Sequence, residues 1–159
     1  MIEVARRRVA VVGIGNDLAG DDGAGLEVIR LLEPAWGQDE RVLLARLEGD
    51  LFAVADLLHL ADEFVFVDAV AGETPGESVR CTNAPRAFSP SFHQTDIQSV
   101  MRALESLGVS DPFPRWELWG VTTLPPQELR SGLSAPVAKA VNEVAHALDV
   151  HLRELLGEG

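Results

Sequence analysis

The chain has 159 residues, of which 47% are hydrophobic and 24% charged, and its formal net charge at pH 7 is −12. This composition is typical of a folded globular protein and excludes a disordered or fibrous one. A chain of this length fits one domain, expected to span residues 1–159. So acidic a chain is not expected to bind nucleic acid, because contacts to phosphate need clustered lysine and arginine side chains.

Cysteine usage and hydropathy indicate where the protein works. Cys81 is the only cysteine of the chain, so no internal disulfide can form, as is usual in a reducing compartment. No stretch approaches the ~20 consecutive apolar residues that a membrane-spanning helix needs. We therefore expect a soluble cytoplasmic protein that has no membrane partner. The acidity of the chain also favours a monomer.

Patterns typical of strands and of helices alternate along the chain. The predicted strands are, in chain order, Arg8–Gly15, Arg41–Leu47, Glu63–Val67, Glu77–Thr82 and Arg115–Val121. Four helices are predicted. The first begins after Asp22 and ends near Pro34, and the second runs through Phe52 to Leu58. The third extends from His93 to about Leu107, and the fourth begins after a capping Ser134 and reaches about Leu156. This alternation predicts an α/β three-layer sandwich, in which a mostly parallel five-stranded sheet has helices on both faces. The fourth strand is expected at an edge, where it can run antiparallel.

The loop after the first strand is the first candidate for a binding site, because ligands of open α/β sheets bind beyond the carboxyl ends of the strands. Residues Gly13–Gly23 suggest a glycine loop for a nucleotide, and a nucleotide-binding module is one alternative function. The spacing argues against it, since the third glycine falls at Gly20. Asp21 and Asp22 also occupy the helix N-terminus, where a pyrophosphate would have to bind. One carboxylate is enough to cap the helix, so the second is a candidate to bind a cation.

Asp68 and His93 are the other candidate ligands. Asp68 follows four apolar residues at the end of a buried strand, where a carboxylate is costly to desolvate unless it is paired or binds a cation. His93 follows a loop rich in serine and proline and is predicted to open a helix. A turn-forming aspartate and a surface histidine are the other interpretations of these two residues. Two carboxylates and one imidazole suit Ni²⁺ or Zn²⁺ and leave positions open for water or substrate. The remaining histidines, expected on the surface or at the core edge, are His59, His146 and His151.

Several motifs together resemble those of the nickel–iron hydrogenase maturation endopeptidases. In chain order they are Gly13-Ile14-Gly15-Asn16, Gly20-Asp21-Asp22-Gly23-Ala24-Gly25, Val67-Asp68-Ala69, Pro75-Gly76-Glu77, His93-Gln94, Trp119-Gly120-Val121 and the long helix after Leu133-Ser134. Each motif is common by itself, but the ordered set spans nearly the whole chain.

The resemblance implies an endopeptidase that removes a C-terminal extension from its partner, the hydrogenase large-subunit precursor, after nickel insertion. The metal-binding and catalytic positions of that family fall on Asp22, Asp68 and His93, with nickel supplied by the precursor and no nucleotide cofactor. Nickel would polarise the scissile carbonyl and activate a water, and Asp68 or a neighbouring carboxylate is a candidate base. Glu48 stands at the family's acidic position after the second strand, whereas Asp50 replaces a glycine and leaves the role of that loop open. A nickel-checking chaperone, which binds the precursor without cutting it, is the other alternative.

Overall fold

The structure is a computed structural model that describes residues 7–82, 96–124 and 132–158. Within these ranges the strands are β1 (Val9–Ile14), β2 (Val42–Leu47), β3 (Glu63–Ala71), β4 (Ser78–Thr82) and β5 (Arg115–Thr123). The helices are α1 (Ala24–Trp36), α2 (Ile97–Ser106) and α3 (Ala135–Leu155), with short 3₁₀ helices at Gly20–Gly23 and Leu51–Leu57. None of the described helices combines the length and the apolar character needed to cross a membrane.

The five strands form one sheet in the order β2-β1-β3-β5-β4. β1 pairs in parallel with β2 and β3, and β3 pairs in parallel with β5. β4 is the exception: it lies at an edge and pairs antiparallel with β5. The predicted mostly parallel sheet and its antiparallel edge strand are therefore confirmed.

An apolar core lies on each face of the sheet. On one face, α1 and α3 pack against strand residues such as Val11 and Val67. On the other face, α2 and the 3₁₀ helix Leu51–Leu57 pack against residues such as Val12 and Phe66. Burying a large apolar side chain contributes roughly 1.5–3 kcal/mol relative to leaving it exposed, so both layers are held mainly by burial. The predicted three-layer arrangement is confirmed.

β3 is longer than predicted. It continues past Val67 to Ala71 because β5 extends beside it, with Asp68 opposite Gly120 and Ala71 opposite Thr123. Asp68 consequently lies inside the strand rather than at its end. The last pair between β1 and β3 joins Gly13 to Val67, so Asp68 is the first β3 residue beyond the pairing of these two strands.

Two predicted helix boundaries also differ from the structure. α1 continues two residues beyond Pro34, because the buried Trp36 donates its Nε1 hydrogen to Asp149 Oδ1 at 2.8 Å and is thereby held against α3. α2 begins at Ile97 and not at His93, because Asp96 caps the helix by accepting a hydrogen bond from the Ser99 amide.

The predicted helix from Phe52 to Leu58 is also corrected: the segment is a 3₁₀ helix that ends at Leu57. Its first turn buries Leu51 and its second buries Val54, while Phe52 and Ala53 between them are exposed. The segment still covers the sheet on the face opposite to α1 and α3 with its buried side chains. It does so as a 3₁₀ helix, which is wound more tightly than the α-helix that the spacing of the apolar residues suggested.

Candidate active site

The loop after β1 folds back on itself at the carboxyl end of the sheet. The Asn16 amide donates to the Asp22 carbonyl at 3.2 Å, and the Asp22 amide donates to the Ala19 carbonyl at 3.2 Å. Gly15 makes this close approach possible, since a Cβ atom at that position would lie 2.1 Å from the Asp22 carbonyl oxygen. The loop therefore fixes the backbone on both sides of Asp22.

Gly25 lets the first turn of α1 rest directly on the ends of β1 and β3. A Cβ atom on Gly25 would lie 2.2 Å from the Val67 carbonyl oxygen and 2.5 Å from the Ile14 carbonyl oxygen. A Cβ atom on Gly13 would in turn lie 2.4 Å from the Gly25 carbonyl oxygen. These glycines are thus used for contact between helix and strand, and their side-chain positions are filled by backbone.

Asp22 and Asp68 both lie at this junction. Asp22 lies one helical turn before Gly25. Asp68 directly follows Val67, and the Val67 carbonyl group packs against Gly25. Both carboxylates are buried, with Asp22 7% and Asp68 1% exposed. Strand alternation places Asp68 on the same face as Phe64 and Phe66, which is the α2 face of the sheet. Two buried carboxylates at one edge of the sheet fit a divalent cation, whose charge would balance theirs.

Asp21 has a different role from its neighbour. Its Oδ1 accepts a hydrogen bond from the Ser134 amide at 2.7 Å, and its Oδ2 accepts one from the Ser134 hydroxyl at 2.8 Å. Ser134 is the residue that precedes α3, and its own side chain makes no capping bond within that helix. Asp21 therefore caps α3 and joins it to the loop that holds Asp22. The sequence suggests a cap at each residue, but nothing in it links positions that are 113 residues apart.

The loop after β2 is exposed. Glu48, Gly49 and Asp50 are all accessible, and Gly49 has a φ of +94°, a conformation that favours glycine. Asp50 has a φ of −81° and accepts a hydrogen bond from the Phe52 amide at 2.9 Å, so it starts the following 3₁₀ helix. The backbone at position 50 therefore does not require glycine, so Asp50 is compatible with the shape of this loop although it replaces the family's second glycine.

His93 lies outside the described residues, so the position of the third predicted ligand stays a prediction. The other histidines are at the surface or the core edge, as expected: His59 and His146 are exposed, and His151 is half-buried. Among the described residues, no group of three histidine, cysteine, aspartate or glutamate side chains is arranged to hold a metal ion. Cys81 is buried, and burial raises the pKa of its thiol.

The sequence gives no sign of a polar cluster between β4, β5 and α3. Arg80 pairs with Glu117 at 2.9 Å and stacks over Trp119, with 4.7 Å from its guanidinium carbon to the ring centre. The His151 ring packs on the same tryptophan at 5.5 Å, and its Nε2 is 3.6 Å from Glu117 Oε1. These residues belong to distant parts of the sequence. Trp119 lies on the α3 face of the sheet, whereas Asp68 lies on the α2 face, so the cluster is separate from the two carboxylates.

Comparison with known proteins places these features in a family context. No protein-family model matches the chain. It is 34% identical, over 108 residues, to the hydrogenase expression/formation protein HupD of Thiocapsa roseopersicina, a match that covers 63% of the chain and 48% of HupD. The chain spans about half the length of the curated relatives it matches.

The fold matches solved structures over nearly its whole length. The hydrogenase maturating endopeptidase HybD of Escherichia coli superposes with a TM-score of 0.75 at 24% identity, covering 92% of the chain and 93% of HybD. A [NiFe] hydrogenase maturation protease, HybD of Thermococcus kodakarensis, has a TM-score of 0.71 at 23% identity and covers 89% of the chain and 97% of its own length. The chain is therefore similar in part of its sequence to hydrogenase expression/formation proteins and in its fold to hydrogenase maturation proteases. The resemblance drawn from the sequence motifs and the fold it implied are both confirmed.

Proposed function

We propose that the chain is an endopeptidase that removes the C-terminal extension of a nickel–iron hydrogenase large-subunit precursor after nickel insertion. The observation that carries this proposal is the placement of Asp22 and Asp68, two buried carboxylates, at the single junction formed by β1, β3 and the first turn of α1. The relatives named for hydrogenase maturation support the same function.

In the proposed reaction the nickel arrives with the precursor and is part of the substrate. Asp22 and Asp68 supply carboxylate oxygens to it, and His93 supplies an imidazole nitrogen. Nickel bound there would act as a Lewis acid that polarises the scissile carbonyl and activates the attacking water. Asp68, which is held in a β-strand and excluded from bulk solvent, accepts the proton that the water releases.

A thiol mechanism is disfavoured by the state of the only cysteine. Cys81 is buried on β4, and burial raises the pKa of its thiol, so it is a poor source of thiolate. A nucleotide-binding role is disfavoured because Asp21 and Asp22 lie in the 3₁₀ helix directly before α1, where a pyrophosphate would bind, and the side-chain position of Gly15 is filled by the Asp22 carbonyl oxygen.

Mass spectrometry of the nickel-loaded precursor incubated with the protein tests the proposal. We expect the precursor to lose a discrete C-terminal peptide, and the nickel-free precursor to keep its mass. Asp22→Asn and Asp68→Asn, which keep side-chain size, should slow cleavage at least ~100-fold, as should His93→Ala. Asp111→Asn is the matched control, since Asp111 is an exposed carboxylate between α2 and the amino end of β5, at the opposite edge of the sheet.

Two results would contradict parts of this proposal. Normal cleavage by all three ligand variants would exclude the metal site. An unchanged precursor mass, together with demonstrable binding of the precursor to the wild-type protein, would favour the nickel-checking chaperone instead. Circular dichroism of each variant establishes that a lost activity does not come from a lost fold.

A further inference from the structure

Three large apolar side chains are exposed at the edge of the sheet where Asp22 and Asp68 lie. Leu18 follows β1 and is 69% exposed, Phe52 follows β2 and is 48% exposed, and Leu124 directly follows β5. A single exposed apolar side chain is ordinary in a folded protein, whereas several at one functional edge indicate an interaction surface. β1 and β2 are neighbours in the sheet, so the segments that carry Leu18 and Phe52 start about 5 Å apart.

The backbone beneath Leu18 and Phe52 is fixed although the side chains face solvent. The Leu18 amide donates to Asn16 Oδ1 at 2.9 Å, and the Phe52 amide donates to Asp50 Oδ1 at 2.9 Å. Leu51 is buried next to Phe52 and determines which side of the 3₁₀ helix faces outward. Side chains presented on a fixed backbone lose less conformational entropy on binding than those of a mobile loop.

The same edge is strongly acidic. The segments that follow β1, β2 and β3 contain no lysine or arginine. Arg46, near the end of β2, pairs with Asp17 at 2.8 Å. The exposed carboxylates among the first six residues after each of these strands are Asp17, Glu48, Asp50, Glu73 and Glu77. A partner surface that fits this edge therefore has to combine apolar side chains with positive charge.

We propose that Leu18 and Phe52 are the apolar anchors of a docking surface for the precursor, which presents apolar side chains flanked by lysine or arginine to this edge. The inference rests on the proposed function for the identity of the partner. It adds a surface that holds the precursor independently of the nickel, because neither anchor is a candidate ligand. Exposed apolar groups that become fully desolvated at the centre of an interface contribute most of its affinity.

Binding of the purified, nickel-free precursor isolates this surface from the metal. We expect Leu18→Ser and Phe52→Ser each to weaken the dissociation constant about tenfold, as truncation of an interface anchor does. Leu107→Ser and Val109→Ser are matched controls: these residues are 75% and 46% exposed and lie between α2 and the amino end of β5, at the opposite edge. Both controls should bind as the wild type does.

A charge reversal tests the electrostatic part. Glu73→Lys should weaken precursor binding several-fold at low salt and lose most of that effect at ~0.3 M NaCl, where exposed charges are screened. Glu105→Lys changes the net charge equally on the exposed face of α2 and should have no effect.

Wild-type affinity in Leu18→Ser and Phe52→Ser would overturn the docking surface while leaving the cleavage assay to decide the proposed function. Absence of binding between the nickel-free precursor and the wild-type protein would also overturn the docking surface, and cleavage of the nickel-loaded precursor would still decide the proposed function.

Discussion

The link between Asp21 and Ser134 makes a quantitative prediction about stability. Asp21→Ala removes two hydrogen bonds, of 2.7 and 2.8 Å, from a half-buried carboxylate. Hydrogen bonds to charged groups contribute about 1.5–3 kcal/mol each, but these two share one carboxylate and one partner residue, and water partly replaces them. We therefore expect the free energy of unfolding to fall by about 2–3 kcal/mol.

Urea denaturation followed by tryptophan fluorescence measures this loss directly. Ser134→Ala keeps the amide bond to Asp21 and removes only the hydroxyl bond, so its expected cost is smaller, about 0.5–1.5 kcal/mol. The double variant should cost less than the sum of the two single variants, because one of the bonds is lost in both. Asp17→Ala is the control: Asp17 pairs with Arg46 at the surface and should contribute less than about 1 kcal/mol.

Two outcomes would refute the reasoning. If Asp21→Ala costs no more than Asp17→Ala, the two bonds to Ser134 do not stabilise the fold. If the effects of Asp21→Ala and Ser134→Ala add completely, the two residues do not act on each other in solution, whatever their distance in the structure.

Two further predictions follow from the packing around the sheet. Gly25→Ala should destabilise the fold by about 3 kcal/mol in urea denaturation, because its Cβ would lie 2.2 Å from the Val67 carbonyl oxygen. Gly23→Ala is the control, since the nearest atom to its Cβ would be the Asp17 side-chain oxygen at 3.3 Å and the backbone stays at 3.5 Å; equal stability of the two variants would contradict this prediction. Burial lowers the pKa of His151 despite the opposing effect of Glu117, so the unfolded chain binds the proton more tightly. The stability associated with neutral His151 is then present above its ordinary pKa of about 6.5 and is lost as the pH falls below it, so the urea midpoint should drop more between pH 7.5 and 5.5 in the wild type than in His151→Gln.

Much of the fold could be predicted from local patterns in the sequence. The apolar runs of β1 and β3 and the glycines that end β1 mark the buried centre of the sheet and the position of the crevice. The rule that ligands bind beyond the carboxyl ends of parallel strands points to Asp22 and Asp68. Asp22 lies in the loop after β1, whereas Asp68 lies inside β3, and the role of both as ligands stays a prediction.

The features that could not be predicted depend on contacts between distant residues. β3 is extended by pairing with β5, and α1 is extended past Pro34 by the bond between Trp36 and Asp149. Neither contact can be predicted from local sequence, because the residues around each partner form no motif that points to the other. His93 belongs to this class as well: its convergence with the two carboxylates is a tertiary property, and it stays a prediction.

The pairing of β1 with β3 also determines when the site can exist during folding. Val9 pairs with Glu63 and Gly13 with Val67, so the strands that carry the two carboxylate-bearing segments meet only after the intervening chain has closed into a long loop. Contacts so distant in sequence form slowly, since the entropy of loop closure is lost before the contacts stabilise the chain. Asp22 and Asp68 are therefore far apart in a nascent or partly folded chain. The protein brings the two carboxylate-bearing segments together only when the centre of the sheet is complete.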